Sequence, residues 1–338
     1  MRKLVIDRAA IKNNLTVIKD RAAGAAIYGV VTGDGQGVGA AALAQLLRDE
    51  GIGRFAVSEV SEAEALRQAG FVDEEILMLR ATTDREELER LVDLNVVCTV
   101  SSVDTGMALN ALAGNRSTVA EAHIQVDTGM GFGGFLVSEP EKLLLAYRSM
   151  PNVALSGVYT QLHAARPNDP QAKRQLEQFQ QALDAIHQAG FETGVVHAAG
   201  SFALLHGLAP ELDGVRAGSA ILGRCRRTRD DGLKTVGFGQ APLTEVRWLP
   251  KGHVLGVDRP VTLKKPTRVA VLPVGYQNGF GVTRPRETGL LAAIARWRKN
   301  NRRTVRLGSQ RARVLGGLGA SELILDVTDL KCSVGDLA

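Results

Sequence analysis

Between residues 25 and 218, short apolar runs alternate with helical stretches, and the number of repeats leaves few folds open. The runs are AAIYGVV (25–31), RFAVS (54–58), EILML (75–79), VVCTV (96–100), EAHIQVD (121–127), ALSGVYT (154–160), VVHAA (195–199) and a weaker GVRAG (214–218). Helical stretches such as AALAQLLRDEG, SEAEALRQAG, REELERLVD, EPEKLLLAYRSM and KRQLEQFQQALDAIHQAG lie between them. Eight strands alternating with helices predict an α/β chain built on a (β/α)8 TIM barrel rather than an open doubly wound sheet. The runs are nearly continuous in apolar residues, as parallel strands buried on both faces should be. Ahead of them Ile11, Leu15 and Ile18 share one face at helical spacing. The rhythm breaks near residues 227–231, so the barrel domain is expected to span 1–231.

From residue 232 to 338 the texture changes to short strands and turns without alternating helices, as in LTEVRWLP, TRVAVLPVG, TVRLG and ELILDVTD. This predicts a mainly antiparallel β domain. A segment near 288–303 interrupts it, with Leu290, Ile294 and Trp297 forming one apolar stripe among basic residues. It is expected to be a basic helical insertion.

Composition excludes several classes. Hydrophobic residues make up 45% and charged residues 23%, which is ordinary for a globular chain and argues against long disorder. No apolar run reaches the roughly 18 to 20 residues of a membrane helix, and the N-terminus has no apolar signal core, so a cytoplasmic protein without membrane attachment is expected. Cys98, Cys225 and Cys332 are too few and too scattered for a disulfide framework or a zinc cluster. The net charge of +5 is local in origin: Arg284 to Arg313 carries ten Lys/Arg against the single acid Glu287. Elsewhere 35 acids outnumber 31 bases, and no nucleic-acid-binding pattern accompanies the basic segment, so a nucleic-acid partner is not expected.

In a barrel of this kind ligands bind where the strands end. After the first run come Thr32, Gly33, Asp34, Gly35, Gln36 and Gly37; after the fifth, Asp127 to Phe132; after the sixth, Gln161 and His163; after the seventh, Gly200 and Ser201; after the eighth, Arg216, Gly218 and Ser219. Ser201 with the amides around Gly218 and Ser219 suggests an anion site, because loops after the last two strands of such barrels often hold phosphate. Glycines making tight barrel turns are the plainer alternative.

The motifs NNLTVIK, VDTGMGFGGF, GVYTQLHAA with the later QLEQFQQAL, HAAGSFALL, DGVRAGSAILG, RVAVLPVGYQNGF and LILDVTDLKCSVGD resemble, in order and spacing, the alanine racemases, the fold type III pyridoxal phosphate enzymes. The resemblance covers nearly the whole chain. It implies a pyridoxal phosphate barrel, a C-terminal β domain, a head-to-tail homodimer and amino-acid racemase (isomerase) activity. It places Tyr276 as the retained family base, Arg216 against the cofactor ring nitrogen, and Ser201 and Gly218 at the phosphate.

The same resemblance reads Thr32 at the position of the Schiff-base lysine and Gln36 at that of a phosphate-binding tyrosine. Phe132 replaces an arginine and Gln161 a histidine of the family site. Gly319, Ala320 and Ser321 stand for a catalytic turn, and the chain ends at Ala338, where the family continues to another phosphate-binding tyrosine. A threonine hydroxyl forms no imine and is a poor base for an α-proton. His163 and Lys264 or Lys265 are the substitutes to weigh as bases, although such residues are usually surface or packing residues.

The expectation is a non-catalytic or diverged, pseudoenzyme-like homologue. Pyridoxal phosphate is expected to be held at most without a covalent link, and by preference not at all, with a small phosphate-bearing ligand as the occupant of choice. An isomerase of altered specificity and an interaction or scaffold protein acting through the basic helix stay open as alternatives.

Overall fold

The computed structural model describes residues 1–163, 169–208, 212–225, 231–256, 260–282 and 303–338. The expected basic helix near 288–303 lies, except for Arg303, outside them. Two compact units form: Ile6–Val236, and Gly237–Ala338 together with Met1–Val5.

In the first unit the eight expected strands are Ala26–Val30, Arg54–Val57, Glu75–Met78, Cys98–Val100, Ala120–Asp127, Val153–Thr160, Val195–Gly200 and Gly214–Ala217. They pair in parallel in chain order, and the last pairs with the first through Val215↔Ile27. Between the third and fourth strands the barrel closes through one parallel bridge, Leu77↔Val97, where the Met78 N–H donates to Val97 O at 2.9 Å. Phe135–Leu136 adds a short parallel strand beside the fifth.

The helices pack outside the sheet with the apolar faces that their spacing foretold. Arg8–Ala22 starts at Asp7, whose carboxylate accepts the Ala10 N–H, and buries Ile11, Leu15 and Ile18. Its buried Asn14 ties it to the chain beyond the eighth strand, donating to Ile221 O at 2.9 Å and Lys234 O at 2.8 Å. Val103–Asn115 is a further helix, opened by Ser102 and Thr105 in a capping box.

The second unit is a five-stranded antiparallel sheet ordered Glu245–Leu249, Thr267–Leu272, Leu323–Asp326, Gln310–Leu315 and Thr304–Leu307. Its core includes Ala270, Leu272, Leu307, Leu323 and Leu325. Lys3–Ile6 pairs with Gly237–Gln240 in a separate two-stranded sheet.

Candidate functional site

The chain leaves the first barrel strand at Thr32, which is half-buried, and at once makes a left-handed turn. Gly33, Asp34, Gly35 and Gln36 have φ of 64°, 52°, 63° and 56°. Left-handed backbone costs about 1–2 kcal/mol at a residue with a Cβ, so Asp34 and Gln36 need support. The Asp34 carboxylate accepts the Ala40 N–H at 2.8 Å, and Asp34 O accepts the Gly39 N–H at 2.9 Å. Glu62 Oε1 accepts the Gly33 N–H, and Arg224 Nη1 donates to Gln36 O at 3.0 Å. The glycines therefore serve a turn pinned by Glu62 from the first turn of the helix Val60–Gln68 and by Arg224 from the loop after the eighth strand. The Gln36 amide lies against Gly218, where an added Cβ would stand 2.7 Å from Gln36 Nε2.

Beyond the fifth strand the carboxylate of Asp127 folds the glycine-rich turn. Oδ1 accepts the N–H groups of Gly129 at 2.8 Å and Met130 at 2.9 Å, and Oδ2 accepts that of Gly131 at 3.1 Å. Thr128 and Thr160 share a hydroxyl hydrogen bond of 2.8 Å. Phe132 is 79% exposed and so does not fill the barrel mouth.

Arg216 points into the barrel from the eighth strand and is buried. Nη1 donates to His197 Nδ1 at 2.7 Å, while Nη2 donates to Thr160 O at 2.7 Å and Gln161 Oε1 at 2.9 Å. The guanidinium carbon stands 5.1 Å from the centre of the Tyr159 ring, a cation–π contact. Among the described residues none of its hydrogen-bond partners is a carboxylate. Burial pushes its pKa down to about 10, which leaves it charged at neutral pH. His197 Nε2 faces His123 Nδ1 at 3.0 Å. Burial, helped by the Arg216 charge, lowers the His123 imidazole to about 4 and holds His197 well below its ordinary value, so both rings are neutral.

The expected phosphate residues also converge. Ser201 Oγ accepts the N–H groups of Gly218 at 3.0 Å and Ala220 at 3.2 Å. Ser219 lies between them, its carbonyl accepting the Arg224 N–H at 2.8 Å. His163 is engaged on both ring nitrogens, 2.8 Å from Gln175 Oε1 and 3.3 Å from Asp169 Oδ2.

Tyr276 belongs to the second unit, where it is exposed on a single turn of 3-10 helix. Its N–H donates to Gly319 O at 3.1 Å and that of Gln277 to Ala320 O at 3.0 Å, which brings the tyrosine beside the turn singled out in the sequence. Lys264 and Lys265 are exposed in the turn before Thr267–Leu272.

Thr32, Gln161, Ser201, Arg216, Gly218 and Ser219 thus all stand at strand ends of one barrel. The sequence reading missed His123, Tyr159 and His197 as members of the interior network. Their signal was present: each is a polar or aromatic residue at an inward position of an otherwise apolar strand.

Two family models account for most of the chain. One described as "Alanine racemase, N-terminal domain" matches residues 6–225, and one described as "Alanine racemase, C-terminal domain" matches residues 239–338. The chain belongs to the alanine racemase family. Alanine racemase of Clostridium tetani is 29% identical over 283 residues, covering 81% of this chain and 72% of that protein. Alanine racemase of Geobacter sp. is 27% identical over 342 residues, covering 98% and 86%.

Among solved structures, alanine racemase from Clostridium difficile 630 has a TM-score of 0.86 at 22% identity, covering 99% of this chain and 85% of its own. Alanine racemase from Bartonella henselae with covalently bound pyridoxal phosphate has a TM-score of 0.83 at 23% identity, covering 99% and 89%. At these identities the structures establish the alanine racemase fold.

Proposed function

We propose that this chain is an alanine racemase family member that does not racemise amino acids through a lysine-bound cofactor, and that its barrel mouth takes a phosphate-bearing small molecule without a covalent link. The observation that carries the reading is the turn at Thr32. A covalent Schiff base needs an amine at the barrel mouth. The lysines of this unit are Lys12 and Lys19 on the first helix, Lys142 and Lys173 on later helices, and exposed Lys234. None stands at the end of a barrel strand.

The residues present therefore do not fit a covalently held pyridoxal phosphate. Gln161 and the Thr160 carbonyl already engage Nη2 of Arg216, and the Gln36 amide covers Gly218. What favours an anion is a buried guanidinium with no carboxylate among its described partners, in the same barrel as the loop where Ser201 Oγ gathers the Gly218 and Ala220 amides. Ser219 lies in the same loop, and Tyr276 is the residue this reading leaves without its family task.

The protein is taken to be a homodimer, as the family resemblance implies, and cytoplasmic, the expectation set by the lack of a membrane-length apolar run or signal core in the sequence. Among the described residues no helix is long and apolar enough to cross a membrane. The test is purified protein with added pyridoxal phosphate. No lysine-aldimine absorption band that borohydride fixes onto the chain is expected, and no exchange between L- and D-alanine. Either one sinks the reading.

A further inference from the structure

Arg216 is one end of a chain of buried groups whose direction follows from counting donors. A guanidinium has N–H donors and no acceptor, so Arg216 Nη1, 2.7 Å from His197 Nδ1, requires a lone pair on that nitrogen. Neutral His197 then carries its proton on Nε2 and donates it across 3.0 Å to His123 Nδ1. The proton of His123 is thereby left on its own Nε2.

The surroundings hold the rings but do not choose this direction. Tyr28 and Tyr159 stack on His197 with centroids 5.0 Å away and interplanar angles of 18° and 19°, which fixes the plane of the ring. Only the two hydrogen bonds fix which edge faces Arg216. His123 is seated where the sixth strand has Gly157: a Cβ there would stand 2.6 Å from His123 Nε2. Among the described residues the charged groups that shift the two rings are Arg216 and Arg54, both cations, and no carboxylate draws a proton onto either imidazole.

We propose that His123 is a positioning residue: its Nδ1 lone pair, acting through His197, holds the Arg216 guanidinium at the barrel mouth and so sets the anion affinity of the site. Without an acceptor at position 123 the His197 Nε2–H is buried unpaired. Moving that proton to Nδ1 sets two donors face to face at Arg216, and the guanidinium shifts. The anion half of the proposal rests on the phosphate-binding reading above, whereas the hydrogen-bond direction stands without it.

Long-range 1H–15N spectra of histidine-labelled protein test the direction. Both rings are expected to be neutral, with the proton on Nε2, throughout the neutral pH range. A proton on His197 Nδ1, or titration of either ring near neutrality, overturns the proposal. Titration with inorganic phosphate tests the consequence. His123→Gln keeps an acceptor and should bind within about twofold of the unaltered protein, while His123→Phe should bind about tenfold more weakly and move the His197 nitrogen signals.

Equal affinity in all three proteins overturns the positioning role. Absence of phosphate binding by the unaltered protein overturns the anion half, and the spectra still decide the direction. Should His123→Phe fail to fold, Gly157→Ala replaces it, since the added methyl displaces the His123 ring and should produce the same His197 signal change. Unchanged His197 signals in that variant count against the relay.

Discussion

Arg216 carries a charge into the barrel, and among the described residues its hydrogen-bond partners are uncharged, an arrangement that favours an incoming anion. Replacing it with Met removes both the charge and the donors. Arg216→Met is therefore expected to weaken inorganic phosphate binding by about tenfold or more, as read by calorimetric titration. Thr32 poses the complementary question. Thr32→Lys restores an amine but leaves the left-handed turn, the Gln36 amide against Gly218 and the Gln161 contact to Arg216 in place. The expected result in an L/D-alanine exchange assay is no strong activity, and strong activity from this single change would show that those contacts matter little. Residue identities such as these were legible in the sequence. The partners of Arg216 were not, because they come from strands 19 and more than 50 residues away.

At the scale of the element, the turn over residues 32–37 shows why a glycine-rich stretch is ambiguous on paper. A loop built to approach a phosphate and a loop built to turn left both need residues without a Cβ. The dihedral angles at Gly33 and Gly35 decide for a pinned turn. At Gly35, with φ of +63°, an added Cβ would also lie 3.2 Å from Ala40 N. Gly35→Ala is accordingly expected to lower stability by about 1–2 kcal/mol, measured as a shift in the denaturant midpoint.

The barrel strands were readable because burial on both faces leaves continuous apolar runs. The helix Val103–Asn115 was not among the helical stretches read from the sequence. Its two glycines, threonine and asparagines dilute the periodic signal, and Gly106 packs closely on Met150, where an added Cβ would stand 2.3 Å from Met150 Sδ and push that side chain aside.

For the whole molecule, the buried imidazoles link stability to pH. In the folded chain His123 is pushed down to about 4 from 6.5. Below 6.5 the unfolded chain takes up a proton that the folded chain refuses, so stability present above that pH is lost as the pH falls towards 4. His197, lowered by burial as well, acts in the same direction. His123 alone should make the protein about 2 kcal/mol less stable at about pH 5 than at about pH 7. Thermal melts across that range should be flatter for His123→Gln than for the unaltered chain, and equal slopes would contradict the assignment.

The sequence by itself determined the barrel, the following antiparallel domain, the family and the threonine at position 32. Each depends on periodicity or motifs carried by neighbours along the chain. Only the tertiary structure decided that His123, His197 and Arg216 meet, that Asp127 folds its own turn, and that the Thr32 loop is pinned by Glu62 and Arg224. The first contact joins residues 74 positions apart, and it exists only once the strands carrying them stand in one closed barrel.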